Sequence, residues 1–309
     1  RNYNGGRIMK MLFFADFHSH NWNRFGLDPM DNIFSVRFLD QKKVADQITD
    51  LLISLEIDIL VFGGDLFHKR GEHPTEVVNL AMEYITKWKK LCTLVMVRGN
   101  HDYAKDLENT KWYDALHYLD MDRASVLEKI PFKLKIVDYN DVIDLDTVKG
   151  NDVVILHKQP EMINEYGHYF SGVNWKNLAA QNKLVLFGHY HTKKKLSDNC
   201  FILGSVMPHT FGDNDDKGVW VLDTDTFNFD FIPLTFPKFL VVDTMQEVKD
   251  DGNYYKVINP VGKFSNNLKV VTSLVPQVFE ERIKSNIFEE ILYEWMRVSN
   301  IEDMDLYYS

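Results

Sequence analysis

The stretch MLFFADFHSH, residues 11–20, runs from five apolar residues straight into Asp16, His18 and His20, placed at every second position. Its first half has the length and composition of a buried strand. Similar apolar runs recur at 57–62, 92–97, 152–156 and 183–187. Each ends in residues able to bind metal: GGDLFH (63–68), RGNHD (98–102), His157 and GHYH (188–191). In open α/β sheets ligands collect beyond the carboxyl ends of strands. Five strands ending this way would pool Asp16, His18, Asp65, Asn100, His157, His189 and His191 in one crevice.

Two amphipathic helices lie between the early runs. In one, Val44, Ile48, Leu51, Leu52 and Leu55 recur at steps of three and four; in the other, Pro74 precedes a stripe of Val77, Leu80, Ala81, Tyr84, Ile85 and Trp88. Strand and helix alternation predicts a layered α/β domain. GVWVLDTDTFNFDFIPL (218–234) reads as a hairpin turning at DTDT, which makes the sheet mixed. Past the prolines at 233 and 237 the pattern shifts to the short pieces KFLVVDT and YYKVIN and then an amphipathic helix over 276–298. The expected division is a lead segment 1–8, before a start at Met9 or Met11, a catalytic domain 9–237 and a small α+β capping domain 238–309.

At 309 residues and 45% hydrophobic content the chain can bury a sizeable core. Its two cysteines, Cys92 and Cys200, are too few for a disulfide framework and point to a reducing compartment. No apolar run approaches the roughly 20 residues that span a bilayer. The formal net charge of −10 lacks the basic excess of a protein that grips duplex DNA by itself. Local lysines, bound metal or a partner would have to supply that attraction.

Hard oxygen ligands mixed with imidazoles suit manganese, iron or zinc, and seven ligands exceed one tetrahedral zinc. Two ions are therefore expected. A carboxylate bridge can hold such ions about 3.5–4 Å apart, where they clamp both oxygens of a phosphoryl displacement. Asp65, behind two glycines that permit close approach, is the expected bridge.

The ordered set DFH, GGDLFH, GNHD, a lone strand-end histidine and GHYH resembles the calcineurin-like metallophosphoesterase superfamily. Within it the chain is most similar to the SbcD-type nuclease subunit of double-strand-break repair complexes and phage recombination exonucleases. That narrower likeness rests on His68 in GGDLFH, on SVRFLDQKKVADQI (35–48), and on LGS (203–205) followed by FGDNDDKGVWVLD (211–223). It implies a fold of mixed β-sheets flanked by helices, a metallophosphoesterase sandwich. It implies one metal on Asp16, His18, Asp65 and His191, and another on Asp65, Asn100, His157 and His189. It further implies that His101 acts at the leaving-group oxygen, with Asp102 orienting its imidazole, and that His68 contacts the scissile phosphate.

The activity so implied is phosphodiester hydrolysis by a metal-bridging hydroxide, with exonuclease action on duplex DNA ends and endonuclease action on single strands. Manganese is the expected metal, with magnesium, ferrous iron and zinc as alternatives. An SbcC-like coiled-coil ATPase and a second copy of the chain are the expected partners, in the cytoplasm of a bacterium or phage-infected host, at the nucleoid and off the membrane. The alternatives are a phosphomonoesterase or protein phosphatase, a small-molecule phosphodiesterase, and a scaffold without activity. Phosphatase relatives carry GDxxDRG and GNHE where this chain has His68 and GNHD, and no ligand position is replaced.

His20 is expected on the loop after DFH, near substrate or behind the ligands. His73, His117, His168 and His209 lack motif context; of these His209 is best placed to face substrate. Lys193, Lys194 and Lys195 either touch a DNA backbone or form a solvated loop. GDNDD (212–216) lacks the ligand alternation of an EF-hand and reads as a polar turn.

Overall fold

The computed structural model describes residues 9–27, 33–106, 108, 110–163, 169–213, 216–258 and 269–272. The chain divides into two compact units, Arg1–Pro237 and Lys238–Ser309. In the first unit, β1 (Lys10–Phe14), β2 (Ile59–Phe62) and β3 (Thr93–Met96) run parallel, with Phe14 opposite Phe62 and Phe62 opposite Met96. The hairpin of Gly218–Asp223 and Phe229–Pro233 extends this sheet antiparallel to β1. A second five-stranded sheet holds Leu134–Val137, Val153–Leu156, Leu184–Phe187 and Cys200–Ile202 in parallel, with Lys194–Ser197 antiparallel at its edge. Both sheets are mixed.

Strand alternation sorts the core into layers. Phe13, Val61 and Val95 face Ile155 and Leu186 of the other sheet. Leu12, Phe14, Leu60 and Phe62 pack on Val44, Ile48, Leu80 and Trp88 from helices α1 (Val36–Ser54) and α2 (Thr75–Leu91). On the far side of the second sheet Leu156, Val185 and Phe187 cover Leu178 of helix Trp175–Gln181. The order helix, sheet, sheet, helix is the layered α/β sandwich that the periodicity predicts. Each fully buried Phe, Leu or Val contributes roughly 1.5–3 kcal/mol.

The helix ends follow local chemistry. The Ser35 side chain accepts from the Phe38 N–H at 3.0 Å and caps α1. Pro74 stands at the N-cap of α2, where it forfeits no helical bond; Glu76 in the first turn and Lys89 and Lys90 in the last complement the helix dipole. Cys92 is half-buried at the C-cap, outside β3, and its Sγ donates to the Trp88 carbonyl.

The second unit contains a parallel sheet of Phe239–Val242, Tyr254–Val257 and Val270–Thr272. Phe239 stacks on the buried Tyr254 at 4.8 Å. The terminal helix expected over 276–298 lies outside the described residues. No helix among the described residues is long and apolar enough to cross a membrane.

Candidate metal centre

β1 stops at Phe14, so the even spacing of Asp16 and His18 is not strand alternation. Both residues are left-handed, at φ 54° and 47°, as are Asp65 at φ 60° and His189 at φ 88°. Among the described residues six non-glycines have positive φ, and four of them are these cluster residues. Such backbone is costly for L residues and persists where surrounding bonds impose it. Here the Asp16 N–H donates to Gly64 O at 2.9 Å and the His18 N–H to Asp65 O at 3.0 Å, tying the first motif to the second.

Gly64 of GGD and Gly99 of GNHD leave room for side chains of the cluster. A Cβ on Gly64, at φ 101°, would stand 2.3 Å from His157 Nδ1, and one on Gly99 would stand 1.9 Å from Asp65 Oδ1. Their bare backbones let a histidine ring and a carboxylate close in from other strands.

The seven expected residues converge. His18 Nε2 lies 3.1 Å from His191 Nε2, 3.6 Å from Asp65 Oδ2 and 4.0 Å from Asp16 Oδ1. His157 Nε2 lies 3.3 Å from Asp65 Oδ2 and 3.9 Å from Asp16 Oδ1. Asn100 Oδ1 is 3.2 Å from His157 Nε2 and 3.0 Å from His189 Nδ1. Ligand atoms of Asp16, His18 and His191 lie within 4.8 Å of one another, as do those of Asp65, His157 and His189. One Asp65 oxygen thus faces both groups.

The donor set fits divalent cations. Asp16 Oδ1 and His18 Nδ1 are buried without a hydrogen-bond partner, and the orphaned oxygen points into the cluster. His157 Nδ1 donates to Gly63 O at 2.8 Å, so in the neutral ring Nε2 presents its lone pair. The Asn100 oxygen faces only lone-pair atoms, including Asp65 Oδ2 at 3.3 Å. Divalent cations would give these inward-facing oxygen and nitrogen atoms the partners that they lack in the protein alone.

Electrostatics agree. Burial, with the neighbouring imidazoles, holds His18 well below the usual imidazole range, and burial takes His189 and His191 down to about 4. Neutral rings are what metal ligation requires. Burial pushes Asp16 up to about 7. For Asp65 burial acts upward, but His157 and His101 outweigh it and keep the carboxyl below its ordinary range. Burial would lower His157, yet the Asp65 carboxylate lifts it to about 9. A proton there occupies the place a cation would take.

His68 and His101 flank the cluster, with ring centroids 5.4 Å and 4.8 Å from His18. Burial and His101 take His68 down to about 3. Asp102 does not orient His101. Its carboxylate accepts from the main-chain N–H groups of Asp65, Leu66 and Gly99 at 2.8–2.9 Å, while His101 Nδ1 bonds the His68 carbonyl. Demand from the GGDLF and GNH backbones occupies both oxygens of Asp102, so it fixes the turn that carries Asp65.

His20 stays off the cluster, as expected: its Nδ1 accepts from the Trp22 N–H and its ring lies 5.6 Å from His68. Lys194 and Lys195 sit on an edge strand, where Lys195 pairs with Asp198, and Lys193 Nζ donates to the Asp216 carbonyl. Sequence reading gave His209 no ligand role but placed it best of the four to face substrate, and missed that its ring lies 5.1 Å from both His18 and His191. It also missed Arg70, whose guanidinium is 2.8 Å from the Asn100 amide, and Arg98, which grips Asp120 at 2.6 Å and Asp114 at 3.0 Å beneath GNHD. His168 lies outside the described residues.

The chain is 25% identical over 268 residues to "Putative phosphoesterase 244L" of invertebrate iridescent virus 6, spanning 79% of this chain and 90% of that protein. It is 22% identical over 302 residues to "Putative phosphoesterase 078R" of invertebrate iridescent virus 3, spanning 88% and 82%. Similar solved structures include TT1561 of Thermus thermophilus (TM-score 0.42, 10% identity, 74% of this chain and 99% of that one). Another is Yfce, a phosphoesterase from E. coli (TM-score 0.33, 15% identity, 74% and 100%). A sequence profile described as calcineurin-like phosphoesterase matches residues 9–193, more than half of the chain and all five strand-end motifs, and the chain belongs to that family.

Proposed function

We propose that this metal-dependent phosphoesterase is a two-metal DNA nuclease. Asp16, His18, Asp65 and His191 would hold one ion, and Asp65, Asn100, His157 and His189 the other. The observation that carries the reading is the pair of buried imidazoles, His68 and His101, set beside a cluster complete in all seven donors. Divalent ions, when bound, supply Lewis acidity that acidifies water and neutralises phosphate charge.

The side chains do the rest. His101 keeps a proton on Nδ1, because its partner there is the His68 carbonyl, which can only accept. Its Nε2 is then the atom that exchanges a proton with the leaving oxygen. His68, which burial and His101 take down to about 3, offers the phosphate an N–H donor rather than a charge at neutral pH. Arg70 brings a cation to the rim beside Asn100. With a net charge of −10, the grip on duplex DNA falls to a partner, for which an SbcC-like ATPase and a second copy of this chain are proposed.

The test gives the full chain and Asp65→Asn an end-labelled linear duplex, a labelled single strand, a chromogenic phosphodiester and a phosphopeptide, each with manganese, magnesium or chelator. The expected result is manganese-dependent cleavage of DNA and diester that Asp65→Asn abolishes. Brisk release of phosphate from the peptide with neither DNA nor diester cleaved would overturn the nuclease reading in favour of a phosphomonoesterase.

A further inference from the structure

Lys217 is the only buried lysine among the described residues, 1% exposed. Removing an ammonium from water costs several kcal/mol unless it is closely paired, so its partners must offset that cost. Its Nζ donates to the main-chain carbonyl of His191 at 2.5 Å and pairs with Asp213 Oδ1 at 3.1 Å. The other Asp213 oxygen accepts from the N–H groups of His209 and Thr210, at 2.9 and 2.7 Å, and from the Thr210 hydroxyl at 3.1 Å. His209 Nε2 in turn donates to the main-chain carbonyl of Asp16 at 2.9 Å.

These bonds form one continuous chain. It begins on the carbonyl of His191, passes through Lys217, Asp213 and His209, and ends on the carbonyl of Asp16. Its two ends are residues of a single metal position. The two motifs that supply that position are 173 residues apart at the His18–His191 contact. Their main chains are therefore tied together behind the ligands as well as through them. A hydrophobic residue would fill the volume of Lys217 at lower desolvation cost, but it could not hold a carbonyl.

We infer that Lys217, Asp213 and His209 are positioning residues that set the affinity of the metal position made by Asp16, His18 and His191, and leave the position at Asn100, His157 and His189 alone. This rests on the reading of the cluster as a two-metal site. Partners that orient a ligand typically change metal affinity about 10- to 100-fold when removed.

The test is manganese binding, followed by the loss of free-ion spin resonance signal, on the full chain stripped with chelator. Wild type should take up two ions. The double variant Lys217→Met/Asp213→Asn removes both buried charges together, so no uncompensated charge remains to unfold it. It should bind one ion as wild type does and the other about 10- to 100-fold more weakly. His209→Gln leaves the ion pair in place and should weaken the same ion; it decides the matter if the double variant does not fold. A folded variant that binds both ions with wild-type affinity overturns the inference. Wild type that binds no manganese overturns the metal reading itself, a separate outcome.

Discussion

Replacing Gly64 with alanine asks how tightly the GGD turn is packed on the cluster. A Cβ there would stand 2.3 Å from His157 Nδ1 and 2.9 Å from the Gly99 nitrogen. Neither neighbour is free to move. His157 Nδ1 is bonded to Gly63 O at 2.8 Å, and the Gly99 N–H to Asp102 at 2.9 Å. Left-handed backbone costs an L residue about 1–2 kcal/mol, and overpacking adds about 1–3 kcal/mol. Gly64→Ala should therefore lose about 2–5 kcal/mol. Gly150 is the control, with φ 73° and nothing within 4 Å of an added Cβ. Gly150→Ala should lose only the backbone strain, about 1–2 kcal/mol. Urea unfolding in chelator gives both losses, and manganese titration should show weakened binding in Gly64→Ala alone. Equal losses in the two variants, with unchanged manganese binding, would refute the close packing of Gly64 on His157.

Asp65→Asn removes the charge on the oxygen shared by both donor groups, so uptake of both ions should fall, as read by calorimetric titration. Arg98→Ala strips the nearest cation from buried Asp120, leaving it Arg123 at 3.9 Å, and strips a partner from Asp114; breaking a buried pair costs about 3–5 kcal/mol, to be read from urea unfolding at pH 8. In chelator, stability should drop as pH falls from about 6.5 toward 4. His18, His20, His68, His189, His191 and His209 all have lowered pKa values, so over this range the unfolded chain binds protons that the folded rings refuse. Asp16, Asp102 and Asp120, raised to about 7, 7 and 6, and His157, lifted to about 9, act in the opposite sense, but these four groups are set against six imidazoles. Melting temperatures at pH 7.5, 6 and 5 check the sign. Manganese at 100 times its Kd should add about 2.7 kcal/mol to stability for each ion bound, visible as a higher melting temperature that chelator reverses.

Much of the fold was legible because its causes are local. The five apolar runs appear as strands within a residue or two of their expected bounds, and the stripes of Val44 and Val77 became α1 and α2, since periodicity records which face is buried. The seven candidate ligands were legible for a different reason: carboxylate, amide and imidazole at successive strand ends have few uses other than a shared site. What was misread depended on backbone geometry. The spacing of Asp16 and His18 looks like strand alternation, but the chain has already left β1 and both residues are left-handed. Asp102 looks like a partner for His101 because it is adjacent, yet its oxygens are taken by a turn some 36 residues away.

By itself, then, the sequence determined the family, the layered sheets and the residue types available to hold metal. Tertiary structure alone decided which atoms face one another. His209 reaches Asp16 across 193 residues, and Lys217 lies buried against the main chain of His191. No local pattern announces such contacts, because a main-chain carbonyl is the same at every residue. Which carbonyl a buried ammonium or imidazole meets is settled only when both sheets have packed.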